Sequence, residues 1–126
     1  MARYNLEEFQ TLVLSSKMEF LNVRRTTTNL DKLDWDNNKL KKMLCGMSSA
    51  DFQKTVKNCK INDCRSADYI DADQYEVHWD EDACIRRDRN DFARSTVSLS
   101  LKIAIIILDD GEQAGLVTFH LSGSPN

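Results

Sequence analysis

Residues 95–108 read STVSLSLKIAIIIL, and the alternation within them decides the fold. Val97, Leu99, Leu101, Ile103, Ile105 and Ile107 fall on one parity, while Thr96, Ser98, Ser100, Lys102, Ala104, Ile106 and Leu108 fall on the other. Successive side chains of a β-strand point to opposite faces, so the first set makes an apolar stripe and the second starts polar and ends apolar. The spacing predicts a central strand whose back face is core throughout. Its second face is covered only towards Leu108 and open around Ser98, Ser100 and Lys102. An uncovered polar end on a buried strand is a natural place for a site.

On the C-terminal side, Asp109-Asp110-Gly111 reads as a turn, and residues 116–121 as an antiparallel partner strand joined by it. On the N-terminal side, Cys84 to Asn90 is irregular and basic, with Arg86, Arg87 and Arg89. Before it, Tyr75, Val77 and Trp79 alternate with Glu76 and His78, the pattern of a half-buried strand bordered by acidic loops. The first half reads helical. Asn5 caps a helix over residues 6–17 that carries Leu6, Phe9, Leu12 and Val13 at helical spacing. Residues 20–26 read as extended because Thr26, Thr27 and Thr28 are β-branched, and a Thr then caps a short helix through about Leu33. Asp36 caps a third helix with Leu40, Met43, Leu44 and Met47 at i, i+3, i+4 and i+7, leaving Lys39, Lys41 and Lys42 on its outer face. Ser48 with Asp51 three places on predicts a fourth helix, which carries Phe52, Lys54, Val56 and Lys57 to about Asn58. Residues 59–67 read as a loop and 122–126 as a tail. The expectation is one α+β domain over residues 1–126, with N-terminal helices packed on an antiparallel β-sheet.

A chain of 126 residues can bury such a core without staples, and 41% apolar residues with one Pro and four Gly is a globular composition. The net charge of −3 is unevenly split: residues 1–60 carry +4 and the remainder −7. No apolar run is long enough for a membrane helix, and MARYNLEEF lacks the apolar core of a signal peptide, so a cytoplasmic protein is expected. Cys45, Cys59, Cys64 and Cys84 are then expected as reduced thiols. Cys59, Cys64, His78 and Cys84 can be drawn as a zinc site but lack paired C-x2-C spacing, and Asp71-Ala72-Asp73 lacks the glycine and distal Glu of a calcium loop. No cofactor or metal is expected.

No phosphate loop, nucleophile elbow or HExxH motif is present. The polar candidates are Lys54, Lys57, Ser98, Ser100, Lys102, His78, His120 and the Arg86, Arg87, Arg89 group. Metal-free RNA cleavage needs a base for the 2′-OH proton, an acid for the departing 5′-oxygen and cations for charge building on the phosphate, and this set can supply all three. His120, in step with Leu116 and Thr118, reads first as a structural histidine.

The order of segments adds a resemblance. VRRTTTNLDKLDWD, then LCGMSSADFQKTV, then SLSLKIAIIILDD followed by LVTFHLS, resembles the MqsR family of bacterial toxins over roughly residues 4–57 and 95–122, with an insertion between. That resemblance implies a RelE-like ribonuclease fold that cleaves messenger RNA without a metal and is silenced by a protein antitoxin. It places the family's catalytic lysine on Lys54 and the lysine of the final motif on Lys102. The family's two tyrosines fall on Gln53 and Ser100, and its Trp-Gln-Asp segment on Trp79-Asp80-Glu81.

Two functions are therefore in view. The first is an endoribonuclease with Lys54 and Lys102 stabilising the phosphate, His78 or Asp80 moving the proton, and Lys57, Arg86, Arg87 and Ser100 holding RNA. The alternative is a catalytically silent immunity or antitoxin-like inhibitor, whose edge of Asp71, Asp73, Glu76, Glu81 and Asp82 caps a basic partner such as a cognate toxin.

Overall fold

A computed structural model describes residues 1–91 and 93–122; the expected tail beyond Ser122 lies outside the described residues. Three helices lead into a six-stranded sheet. Helix α1 (Leu6–Leu14) starts where Asn5 Oδ1 accepts from the Glu8 N–H at 2.9 Å. It ends three residues earlier than its apolar spacing predicts, because Ser16 turns left-handed at φ 59° and Lys17 N–H bonds back to Leu12 O. Strand β1 (Met18–Phe20) follows and runs parallel to the last strand.

Helix α2 (Val23–Leu33) corrects the second half of the reading of 20–26 as extended: Phe20 does lie in β1, but residues 23–26 are helical and Asn22, not a threonine, stands at the N-cap. Its three threonines lie inside the helix: Thr26 is buried against the sheet, and Thr28 Oγ1 donates to Arg24 O one turn back. Thr26 and Leu30, one turn apart, are the buried positions, so burial of that stripe overrides β-branched propensity. Asp34 at φ 57° ends α2, and Asp36 Oδ1 then accepts from Lys39 N–H to start α3 (Asn37–Gly46), as expected.

The predicted fourth helix is a strand. Ser48 and Asp51 do form a capping box, but it holds a single 3₁₀ turn (Ser49–Asp51) that gives way to β2 (Phe52–Lys60). Phe52 and Tyr75 stand opposite each other across the pair, 5.6 Å apart edge to face, and Thr55 and Val56 suit the extended chain. Lys54 and Lys57 are thus strand residues. The expected loop at 59–67 begins only after Lys60.

Strand β3 (Tyr69–Asp80) pairs on one side with β2 and, beyond it, with the short β4 (Ile85–Arg87), a strand within the segment read as irregular. On the other side it pairs with β5 (Thr96–Leu108), which turns at Asp109-Asp110 into β6 (Gly111–Leu121). Strand β6 begins five residues before the expected 116. The sheet order is β1-β6-β5-β3-β2, mostly antiparallel.

The helices cover one face. Phe9, Val13, Leu30, Trp35, Leu40, Met43 and Leu44 pack there on Tyr75, Val77, Trp79, Leu99, Leu101, Ile103 and Phe119. That face of β5 is core as far as Ile103, but Ile107 is 77% exposed. A bulge in β6 sets Ile103 opposite Leu116 and Lys102 opposite Thr118, so Val117 joins Thr118 on the second face. Among the described residues, no helix is long and apolar enough to cross a membrane.

Candidate active site on the open sheet face

The second face is closed at one end by Leu21, Ile61, Ala72, Ala104, Ile106 and Val117. Towards the other end Ser98, Ser100 and Lys102 are only half-buried, as the polar start of β5 predicts. Cross-strand register arranges the polar residues there in rows. Lys54 faces Gln74, Gln74 faces Lys102, and Lys102 faces Thr118. One step along, Glu76 faces Ser100 and Ser100 faces His120. The next row is Arg87, His78 and Ser98. Strands lie ~4.8 Å apart and same-face residues ~6.8 Å along a strand, so the backbones of these rows fit within a patch about 14 Å on a side.

Several side chains in the patch are already oriented. His78 Nδ1 and Ser98 Oγ are 2.9 Å apart. His120 Nδ1 lies 2.8 Å from Leu121 O. A carbonyl only accepts, so Nδ1 carries a hydrogen and Nε2 remains for other chemistry. Thr118 Oγ1 is buried without a hydrogen-bond partner among the described residues. Beside the patch, where β2 gives way to β4 along the edge of β3, a 470 Å³ cleft is lined by Gln53, Glu76, His78, Arg86 and Arg89 among others.

The structure brings Lys54, Lys102, His78 and Ser100 to one face and takes other expected residues away from chemistry. Asp80 is buried and fully engaged: it accepts from Ser95 Oγ at 2.6 Å, from Asp82 and Ala83 N–H, and from Arg87. The Ser95 hydroxyl first, then Ala83 N–H and the Arg87 guanidinium, hold its carboxyl well below the usual carboxylate range and tie it into the turn after β3. Arg87 is thereby anchored. Arg86 forms a two-pronged pair with the buried Asp51, at 2.8 and 2.9 Å, and reaches Asp88 as well, so it braces the 3₁₀ turn rather than waiting for RNA. Lys57 is exposed next to the irregular register of β2, where Asn58 turns left-handed at φ 55°.

The acidic edge of the alternative reading is dispersed. Asp73 is buried and accepts from Arg3 N–H, Tyr4 N–H and Thr55 Oγ1, tying the N-terminus to the sheet. Asp71 Oδ1 accepts from Asn58 N–H. Glu76 belongs to the open face, while Glu81 and Asp82 sit in the turn after β3. Cys59, Cys64, His78 and Cys84 form no ligand set: among the described residues no three His, Cys, Asp or Glu side chains gather to hold a metal.

Gln74, Glu76 and His120 are the site residues that the sequence reading did not bring together. The signal was present, since Tyr75, Val77 and Trp79 on the core face already put 74, 76 and 78 on the other. What was missing was register, which alone sets Gln74 between the two lysines. Comparison with family models, curated proteins and solved structures finds no match to the chain.

Proposed function

We propose that this protein is a toxin-like, metal-independent endoribonuclease of the MqsR type, with a RelE-like arrangement of its sheet, acting on messenger RNA and held silent by a protein antitoxin. The observation that carries the reading is the row Lys54, Gln74, Lys102, with Glu76, His78 and His120 within two strands of it on an uncovered face. Two ammonium groups flanking an amide suit a phosphodiester, whose charge grows as it is attacked.

Glu76 takes the proton of the 2′-hydroxyl, and the 2′-oxygen attacks phosphorus. The bond from phosphorus to the 5′-oxygen breaks, and His120, entering the step as its imidazolium, gives the Nε2 proton to that oxygen and keeps Nδ1–H on Leu121 O, leaving a 2′,3′-cyclic phosphate and a 5′-hydroxyl. Lys54 and Lys102 neutralise the phosphoryl oxygens, and His78, steadied by Ser98, holds the substrate beside Glu76.

The test is cleavage of single-stranded RNA by purified protein in EDTA. Lys54→Ala and Glu76→Gln are each expected to lower the rate by about 100-fold or more. His120→Ala is expected to slow cleavage of RNA but not of a substrate whose 5′-leaving group needs no proton. No cleavage by the parent, or equal cleavage by parent and Lys54→Ala, would refute the catalytic reading.

A further inference from the structure

The helix that covers the open edge of β6 carries a feature that cleavage chemistry does not use. Strand β1 pairs with β6 only over Ala114–Leu116, which leaves the Val117 and Phe119 carbonyls on a free edge. Helix α2 closes it: Asn22 Nδ2 donates to Val117 O at 2.9 Å, and Asn29 Nδ2, two turns on, to Phe119 O at 2.8 Å. The outer side of α2 therefore lies directly beside the edge strand that carries Thr118 and His120. A groove of about 640 Å³ runs along it, lined by Arg24, Arg25, Thr28 and Lys32.

Three cations in one groove is a local excess in a chain of net charge −3. Arg24, Arg25 and Lys32 are exposed, and none is in an ion pair among the described residues. Asp63, the one carboxylate among the described residues of the lining, is spent on the start of α2, where its Oδ2 accepts from Val23 N–H at 2.8 Å. It answers the positive end of the helix rather than the three side chains. Between this groove and Lys102 lies Thr118, whose buried hydroxyl has no partner among the described residues.

We infer that Arg24, Arg25 and Lys32 form a flanking subsite that grips backbone phosphates of a single-stranded RNA leaving the open sheet face over the β6 edge. This rests on the endoribonuclease reading and names where the rest of the substrate lies. The groove has charge and amide donors but no stacking aromatic among the described residues of its lining, so its contribution is electrostatic and independent of base sequence.

The experiment compares the parent with the triple variant Arg24→Ala, Arg25→Ala, Lys32→Ala, and with a control triple, Lys39→Ala, Lys41→Ala, Lys42→Ala, on α3. Affinity for a long 2′-O-methyl RNA, which lacks the nucleophile and is not cut, is measured against salt, together with cleavage of a dinucleoside phosphate too short to reach α2. Three lost phosphate contacts lower the salt slope by about 2, so over a roughly fourfold rise in salt the parent loses about 20-fold more affinity than the α2 variant. The α3 control keeps the parent's slope, and all three proteins cut the dinucleoside phosphate alike. An α2 variant with the parent's slope overturns the subsite, and so does an α3 control with an equal fall, which would reduce the effect to net charge. A parent that neither cuts the dinucleoside phosphate nor binds the long RNA overturns the endoribonuclease reading along with it. Because the slope is read from binding, it decides the groove whatever the cleavage assay returns.

Discussion

Asn22 shows how much a single polar side chain holds. Nearly buried, it donates to Lys60 O and Val117 O and accepts from Asn62 N–H, joining α2, the end of β2, the β6 bulge and the loop after β2. Asn22→Ala leaves these backbone groups without their partner, and a loss of about 1 to 3 kcal/mol is expected by urea denaturation. Arg86 is the charged counterpart. Arg86→Ala leaves Asp51 ionised, buried and unpaired, for an expected cost of about 3 to 5 kcal/mol, and Arg86→Lys does not restore it because an ammonium cannot make the two-pronged contact. Asp80 governs the acid limb. Its folded-state pKa is depressed, so the bonds made by its ionised form stabilise the fold above the ordinary carboxylate value of about 3.9 and are lost as pH falls through the lowered one. In Asp80→Asn the urea midpoint is expected to be lower at neutral pH and to fall less on acidification; an unchanged midpoint at both pH values would refute the role.

At the scale of elements, β5 behaves as its alternation predicts except at one end. Ile103, fully buried, should cost about 2 to 5 kcal/mol as Ile103→Ala, whereas Ile107→Thr, on the same parity but 77% exposed, should stay within about 0.5 kcal/mol. The helices stop short of Ile107, and parity cannot show where a covering layer ends. The turn at Ser48–Asp51 carries the opposite lesson. Its capping box is legible in the sequence and forms, yet a cap marks only the start of a helix, and the chain beyond it pairs Phe52 with Tyr75 instead, while Arg86 braces Asp51 at the end of the turn. Gly115 is fitted to a neighbour in a way no pattern reveals: a Cβ there would lie 2.9 Å from Leu21 Cδ1, a side chain that is itself 1% exposed. Gly115→Ala is therefore expected to destabilise by about 1 to 3 kcal/mol.

Across the whole molecule the sheet is the partition between two apolar clusters, a large one under the helices and a small one under the loop after β2. The small cluster closes one end of the second face, and the other end stays open because its residues are polar. Length, composition and the two periodicities, 3.6 in the first half and 2 in the second, are enough to establish an α+β domain, a helical N-terminus, a central strand at 95–108 and a polar opening on its second face. Those features follow from local patterns of burial, which a sequence records directly. The conversion of the Lys54 segment from helix to strand and the meeting of Lys54, Gln74, Lys102, Glu76 and His120 follow from strand pairing between residues that lie 20 to 28 positions apart, and the retreat of Asp73, Asp80 and Arg86 into structural roles follows from side-chain contacts that only the fold brings together. Register is chosen by the summed packing of both partners, so no residue carries it alone, and only the folded chain decides which polar groups share the open face.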